Sequence, residues 1–276
     1  MKNKKIILTI VLAISILFSF GQGLEVFYNN EKSGFKDSTG KIIVEAKYDI
    51  TTYFSDGLAG VFIGKIDSNG IPIGKWGFIN EKGKEAIPCK YDNTDYFSEG
   101  TVAVELNGKW GIIDKEGKEV IPFKYDYAYS FSNKLAMVKL NNKCGFIDKE
   151  GKEVIPFIYD WAFSFSDGLA MVFIGEVEPG KKVKGKSGYI NKEGKVVIPI
   201  KYDWADKFSD GLAIIFIGEL TDNGTPKEGK FGYVNTEGAE IIPFKYDAAY
   251  KFEKGKAQVK LDGEYFYINT KGERVE

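Results

Sequence analysis

Residues Lys109–Asp126 read KWGIIDKEGKEVIPFKYD, and relatives of this stretch recur along nearly the whole chain of 276 residues. The glycine of the motif returns at Gly34, Gly77, Gly111, Gly145, Gly188 and Gly232. The basic step between these glycines is 34 residues, and three steps are lengthened to 43 or 44. Self-similarity at a fixed period of this size is typical of solenoids, propellers and other repeat architectures. The motif therefore predicts a tandem array.

Each repeat contains three apolar segments separated by turn residues. In one repeat these segments are Thr101–Leu106, Trp110–Asp114 and Val120–Phe123. Asn107-Gly108 is a two-residue hairpin signal, and the glycine of Lys115-Glu116-Gly117 suits a tight turn with positive φ. Each repeat is therefore predicted to be a three-stranded antiparallel meander, and the strands predict an all-β fold of about seven repeats.

A proline recurs in the third apolar segment of five repeats. It stands at Pro88, Pro122, Pro156, Pro199 and Pro243. Because proline lacks a backbone N–H, a sheet tolerates it only on an edge strand, at a strand end or at a bulge. We therefore expect the proline to end the third strand, and this strand to be the edge of the sheet.

A Tyr-Asp pair follows the third segment. Its aspartates are Asp49, Asp92, Asp126, Asp160, Asp203 and Asp247. Aspartate is a favoured N-cap, because its carboxylate accepts hydrogen bonds from the first N–H groups of a helix. The pattern predicts a one-turn helix between repeats, capped by this aspartate and held by flanking aromatics such as Tyr125 and Phe131.

The strands of the motif are apolar on both faces, since Trp110 and Ile112 point one way and Ile113 the other. Such a sheet must be covered on both sides, and stacking of successive repeats supplies the cover. The stack can be an open curved solenoid or a closed β-propeller. In the last repeat, Phe266 stands in the glycine position. If the glycine lets the next repeat approach, a repeat without a follower can carry Phe, so the sequence favours the open array.

The stretch KWGIIDKEGKEVIPFKYD, with its relatives KWGFINEKGKEAIPCKYD and KCGFIDKEGKEVIPFIYD, resembles the bacterial WG-repeat family. The Trp-Gly pair itself stands only at Trp76-Gly77 and Trp110-Gly111. The resemblance implies one repeat scaffold over residues 22–276 without a general catalytic function. It brings no catalytic residue to this sequence.

The first 21 residues have the layout of a secretory signal peptide: lysines at positions 2, 4 and 5, then the apolar run Ile6–Phe20 and small residues near Gly21. The run is shorter than the roughly 20 residues that span a bilayer. We expect cleavage near Gly21, with an uncleaved anchor as the alternative. The mature chain is then secreted or periplasmic, with no membrane span and no lipobox cysteine.

The composition excludes several functions. The chain has no histidine, the usual general base and the commonest zinc ligand, and only two cysteines, Cys89 and Cys144. No catalytic residue, cofactor or metal site is therefore predicted.

Carboxylate pairs alone can hydrolyse glycosides, but the aspartates recur with the repeat, which favours a structural role. Loss of the leader changes the formal charge from −1 to −4, which does not suit nucleic acid.

Two features depart from the repeat. The residue after Tyr-Asp is aromatic in three consecutive repeats, at Tyr127, Trp161 and Trp204. Stacking would align them in a ladder that could contact a protein partner or sugar rings, although filling gaps between repeats is the favoured interpretation.

The second feature is a set of three long hairpins, which either mark a binding face or merely lengthen the sheets. They are Phe62–Lys75, Phe173–Lys186 and Phe216–Lys230. Taken together, the sequence predicts an exported binding or scaffold protein. Its partner is expected to be a protein, with a cell-wall or other glycan as the alternative.

Overall fold

The computed structural model describes residues 24–67, 72–176 and 183–276, and this part of the chain contains 27 strands and no helix. The all-β prediction is confirmed. No helix that could cross a membrane occurs in these three ranges. The predicted leader lies outside them. The chain divides into two compact units, Met1–Phe123 and Lys124–Glu276, and the division falls inside one strand.

The first unit contains three sheets. The first sheet consists of β1 (Glu25–Asn29), β2 (Lys32–Lys36) and β3 (Ile42–Tyr48). The second consists of β4 (Ile50–Thr51), β5 (Leu58–Ile66), β6 (Pro72–Asn80) and β7 (Glu85–Tyr91). The third consists of β8 (Asn93–Thr94), β9 (Thr101–Leu106), β10 (Lys109–Asp114) and β11 (Glu119–Tyr125), the last of which contains the unit boundary.

The second unit contains four sheets. The fourth sheet consists of β12 (Tyr127–Ala128), β13 (Ala136–Leu140), β14 (Lys143–Ile147) and β15 (Glu153–Tyr159). The fifth consists of β16 (Trp161–Ala162), β17 (Ala170–Glu176), β18 (Lys184–Ile190) and β19 (Val196–Tyr202). The sixth consists of β20 (Trp204–Ala205), β21 (Leu212–Leu220), β22 (Pro226–Asn235) and β23 (Glu240–Tyr246). The seventh consists of β24 (Ala248–Ala249), β25 (Lys256–Leu261), β26 (Glu264–Asn269) and β27 (Arg274–Val275).

Each sheet is an antiparallel meander, because its strands follow one another in space as they do in the chain. Six of the sheets have four strands where three were predicted. The additional strand is the two-residue segment after Tyr-Asp. In the fourth sheet, Tyr127 is paired with Lys139 and Ala128 with Val138. Each sequence repeat thus ends with the first strand of the following sheet.

The predicted one-turn helix after Tyr-Asp is wrong. A single turn must fix several residues for one hydrogen bond, so an isolated turn forms at a cost. The extended segment instead finds partners in the next hairpin: the Asp126 N–H donates to the Lys139 carbonyl and the Tyr129 N–H to the Met137 carbonyl, each at 2.9 Å. The aromatic and β-branched residues of these segments also favour strands.

The aspartate of Tyr-Asp joins strands and does not cap a helix. In the fourth sheet, Asp160 Oδ1 accepts a hydrogen bond from Lys143 Nζ at 2.6 Å, and Oδ2 accepts one from the Gly175 N–H at 2.9 Å. Equivalent pairs of bonds are made by Asp49, Asp92, Asp203 and Asp247. The hydrogen bond from the Lys75 ammonium lowers the pKa of the Asp92 carboxyl. The N-cap prediction is therefore wrong. The aspartate instead links two neighbouring hairpins by hydrogen bonds.

The motif glycine lies against the backbone of its own sheet. A Cβ on Gly77 would come within 2.6 Å of both the Ile87 carbonyl oxygen and the Cys89 nitrogen. A carbonyl oxygen of the third strand lies equally close to Gly34, Gly111, Gly145, Gly188 and Gly232, at 2.4 to 2.8 Å. The prediction that this glycine admits the next repeat is therefore wrong, because the close neighbour is the outer strand of the same sheet.

A bulge in the outer strand explains both the glycine and the proline. Trp76 is paired with Tyr91, but Phe78 is paired with Ile87, so the outer strand has two extra residues between the pairs. Pro88 lies in this bulge and is exposed, where no ladder N–H is required. The outer position of the third strand is confirmed. The proline, however, lies inside that strand and does not end it.

Neighbouring sheets share apolar cores within each unit. In the first unit, Phe78 and Ile87 of the second sheet pack with Val102 and Val104 of the third. In the second unit, separate clusters join the fourth sheet to the fifth, the fifth to the sixth and the sixth to the seventh. The predicted stacking of repeats through apolar faces is thus present inside both units.

Turns of the form Ser-Asp-Gly add polar links between successive sheets. Ser166 Oγ donates to the Phe208 carbonyl at 2.8 Å, and the Gly211 N–H donates to Asp167 Oδ2 at 3.0 Å. The same serine bond recurs at Ser55, Ser132 and Ser209. These turns therefore connect the second sheet to the third in the first unit, and each of the fourth, fifth and sixth sheets to the following sheet in the second unit.

Candidate functional site

The three aromatic residues that depart from the repeat begin the short first strands of three successive sheets. Tyr127, Trp161 and Trp204 are the first residues of β12, β16 and β20, and each is half-buried. The backbone of Trp161 is paired with Phe173, and that of Trp204 with Phe216. Their positions are thus set by regular strand pairing.

The structure brings two of these three rings together. The ring centroids of Tyr127 and Trp161 lie 5.9 Å apart, with a tilt of 41°. Trp204 packs instead against Phe231 of its own sheet, at 6.4 Å and 79°. The three-membered ladder expected from the sequence is therefore reduced to a pair.

Two further aromatic residues extend the pair into a larger surface. Tyr129 packs edge-on against Tyr127 at 5.1 Å, and Phe163 packs edge-on against Trp161 at 6.4 Å. Both are half-buried. We call Tyr127, Tyr129, Trp161 and Phe163 the aromatic patch. Tyr129 and Phe163 were not predicted from the sequence, although their spacing of two residues from Tyr127 and Trp161 places them on the same face of an extended chain.

Small residues between the aromatics explain how the patch forms. Ala128 and Ala162 are fully buried, and Ala162 lies in the apolar cluster between the fourth and fifth sheets. Because side chains alternate in an extended segment, the residues on either side of each alanine point to the opposite face. A Tyr-Ala-Tyr segment followed one repeat later by Trp-Ala-Phe thus presents four rings on one surface.

Two lysines lie over the rings of the aromatic patch. Lys207 Nζ is 5.5 Å from the ring centroid of Tyr129 and 5.1 Å from that of Phe163. Lys139 Nζ is 5.4 Å from the Trp161 ring. These are cation–π distances. The patch and its two ammonium groups therefore involve residues of the fourth, fifth and sixth sheets.

The two lysines differ from the lysines of the motif. In the part of the chain that the structure describes, neither Lys139 nor Lys207 forms an ion pair, whereas Lys143 and Lys186 are bound to Asp160 and Asp203 at 2.6 Å. Asp206 Oδ1 accepts the Lys207 backbone N–H at 2.7 Å and forms no ion pair with the Lys207 ammonium group. Both ammonium groups thus keep donors for a ligand.

The aromatic patch also contributes to packing. Tyr127 and Tyr129 pack against the apolar cluster between the fourth and fifth sheets, and Trp161 and Phe163 against the cluster between the fifth and sixth. One part of each ring therefore packs beside the apolar core. The other part is exposed, and exposed aromatic surface on a fixed scaffold suits an interface.

The long hairpins extend their sheets. Strands β21 and β22 stay paired as far as Leu220 and Pro226, and a Cβ on Gly224 would lie 3.1 Å from the Val183 side chain of the neighbouring hairpin. The tips at residues 68–71 and 177–182 lie outside the described residues. The hairpins of the fifth and sixth sheets thus contact each other near Val183.

The cysteines are placed as apolar side chains. Cys144 is buried, and burial raises the pKa of its thiol to about 11. Cys89 is half-buried, and burial also raises the pKa of its thiol. Among the described residues there is no group of three or more His, Cys, Asp or Glu that could hold a metal ion.

Comparison with known proteins identifies the repeat. The model of the family described as WG containing repeat matches residues 34–65, 76–110, 110–144, 145–176, 188–220 and 231–265, which is well over half of the chain. No curated protein matches the sequence.

Several solved structures are similar in backbone at low sequence identity. A eukaryotic initiation factor has 9% identity and a TM-score of 0.49, with 94% of this chain and 86% of that chain covered. The β-propeller domain of the Trilobed protease from Pyrococcus furiosus has 12% identity and a TM-score of 0.47, with 83% and 84% covered. Apo AztD from Citrobacter koseri has 11% identity and a TM-score of 0.42, with 93% and 78% covered.

Proposed function

We propose that this chain, which belongs to the WG containing repeat family, is an exported, non-catalytic binding module that holds a protein partner on the aromatic patch. The observation that carries the proposal is the contiguous set of four half-buried rings and two lysines on three successive sheets. Aromatic residues are enriched among the side chains that dominate protein interfaces. The packed sheets beneath hold these rings in place, which lowers the entropy cost of binding.

The non-catalytic part of the proposal is supported by the chemistry of the repeated residues. The chain has no histidine. The recurring aspartates are engaged by lysines and hairpin N–H groups, as at Asp160, which supports a structural role. The Cys144 thiol is buried and has a raised pKa, which does not suit a nucleophile. The export part of the proposal rests on the basic and apolar pattern of residues 1–21.

A glycan is the second candidate ligand. The contiguous rings of the aromatic patch favour it, since aromatic faces can stack on sugar rings. Binding to purified peptidoglycan or polysaccharide by the wild-type chain, with loss of binding in a patch variant, would favour this candidate over a protein partner.

The experiment for the protein-binding proposal replaces Tyr127 and Trp161 together by asparagine. Asn93 occupies the equivalent position in the third sheet, so the strand accepts this residue. Trp204→Asn is the matched control, because it removes a half-buried ring that packs on Phe231 away from the patch. Affinity capture from envelope extract should recover a partner with the wild type and the control but not with the double variant. Equal recovery by all three proteins would contradict the proposal.

For the whole array we propose the open, curved solenoid, with the closed β-propeller as the alternative. The divergence of the terminal repeats supports it, because Glu45 stands where inner repeats carry proline and Phe266 where they carry glycine, and atypical end repeats are typical of solenoids. Small-angle X-ray scattering of the purified chain distinguishes the two, because a closed ring gives a compact, disc-shaped particle and an open array gives an elongated one. A scattering profile that fits a closed disc would refute the open array.

A further inference from the structure

We infer that the aromatic patch recognises an acidic polypeptide segment, in which Asp or Glu side chains lie beside apolar or aromatic residues. This inference rests on the proposed function, since it names the chemistry of the partner at the same surface. The patch combines apolar rings with ammonium groups, and a ligand that matches both must carry apolar area and negative charge together.

The charge argument comes from Lys139 and Lys207. Both ammonium groups lie over ring faces at 5.1 to 5.5 Å and, among the described residues, neither forms an ion pair. An ammonium group has three N–H donors, and contact with a ring face leaves donors for other partners. A carboxylate bound there would form a charge-assisted hydrogen bond, which is stronger than a neutral one.

The seventh sheet provides an internal comparison. Lys260 and Lys251 occupy the positions that Lys139 and Lys207 hold in earlier repeats. Lys260 lies 5.3 Å from the Tyr265 ring, but Lys251 is bound to Glu253 at 2.8 Å, and Ala248 stands where Tyr127 and Trp161 stand. The seventh sheet thus has lysines at both positions, but one of them is ion-paired and the aromatic residue is replaced by alanine. The combination of four rings with two lysines that form no ion pair is described only in the fourth to sixth sheets.

A displayed library of random peptides, selected on the full-length chain, tests the inference. The selected peptides should be enriched in Asp and Glu next to apolar or aromatic residues. Their affinity should fall about tenfold or more in K139Q/K207Q, and also in Y127N/W161N, when the dissociation constants are measured by titration. The double variant K251Q/K260Q also removes two positive charges, at the equivalent positions of the seventh sheet. It should bind these peptides with the affinity of the wild type. Added salt should weaken binding to the wild type more than to K139Q/K207Q.

Several results would overturn the inference. Selected peptides without an excess of acidic residues, no selected peptide at all, or equal affinity for wild type and K139Q/K207Q would each do so. If only Y127N/W161N loses affinity, the acidic partner is refuted while the proposed binding surface is retained. If neither variant loses affinity, both proposals fail. An oligogalacturonate is titrated in parallel, and patch-dependent binding of this probe in place of peptides would assign the lysines to an acidic glycan and refute the polypeptide.

Discussion

At the scale of single residues, the motif positions act mainly within their own sheets. Gly77 lies under a bulge of the outer strand, and Pro88 lies in that bulge. Asp160 binds the lysine of its own sheet and a hairpin N–H of the next. A recurring polar residue was expected to cap a helix, but its hydrogen bonds are made with groups 15 to 17 positions away in the chain.

Replacement of Gly77 by alanine should lower the free energy of unfolding by about 1–3 kcal/mol, the usual cost of overpacking. The added Cβ would meet backbone atoms of Ile87, Pro88 and Cys89 at 2.6 to 2.8 Å, and a backbone cannot rotate away. Urea unfolding followed by circular dichroism measures this change.

Gly60→Ala is the control for Gly77→Ala, because Gly60 lies on the strand paired with that of Gly77. A Cβ on Gly60 would first meet side-chain atoms of Thr52, at 3.2 Å, and a side chain can adjust. The loss in this variant should be clearly smaller. Equal losses in the two variants would show that the bulge is not the reason for the glycine.

At the scale of elements, the aromatic patch depends on the short strands that replace the predicted helical turns. An extended Tyr127–Ala128 segment places Tyr127 and Tyr129 on one face, whereas residues two positions apart in a helix would point in different directions. The turns between the longer strands were predicted correctly: Asn107 and Gly108 both have positive φ, and Gly117 has a φ of 78°. Turn chemistry is local, so a single sequence suffices to recognise it.

At the scale of the whole molecule, successive sheets within each unit are held by shared apolar clusters and by the serine of each Ser-Asp-Gly turn. Each apolar cluster seen among the described residues combines side chains of two neighbouring sheets. The two units therefore depend on contacts between repeats, as is general for repeat proteins.

Replacement of Ser166 by alanine tests the polar link between the fifth and sixth sheets. It removes the 2.8 Å hydrogen bond to the Phe208 carbonyl and should lower the free energy of unfolding by about 0.5–1.5 kcal/mol, the usual net value of one bond. Urea unfolding measures the change in the free energy of unfolding. The rate of amide hydrogen exchange should increase in residues near Phe208.

Ser164→Ala is the control for Ser166→Ala, since Ser164 lies two residues earlier and forms no side-chain hydrogen bond to another sheet among the described residues. The control should have nearly the stability of the wild type. A loss of the same size in both variants would mean that the serine bond does not link the sheets.

The repeat, the strands, the turns and the edge position of the proline strand were predictable from the sequence, because each depends on neighbouring residues or on a fixed period. The partners of the aspartates, the reason for the glycine and the contacts among the aromatic rings became visible only in the folded chain. Asp160, Gly77 and Trp161 contact residues that are distant in the chain, and such contacts follow from bulges and sheet packing that no local pattern records. The aromatic patch was therefore recognisable in part, through Tyr127 and Trp161, while Tyr129, Phe163 and the two lysines required the folded chain.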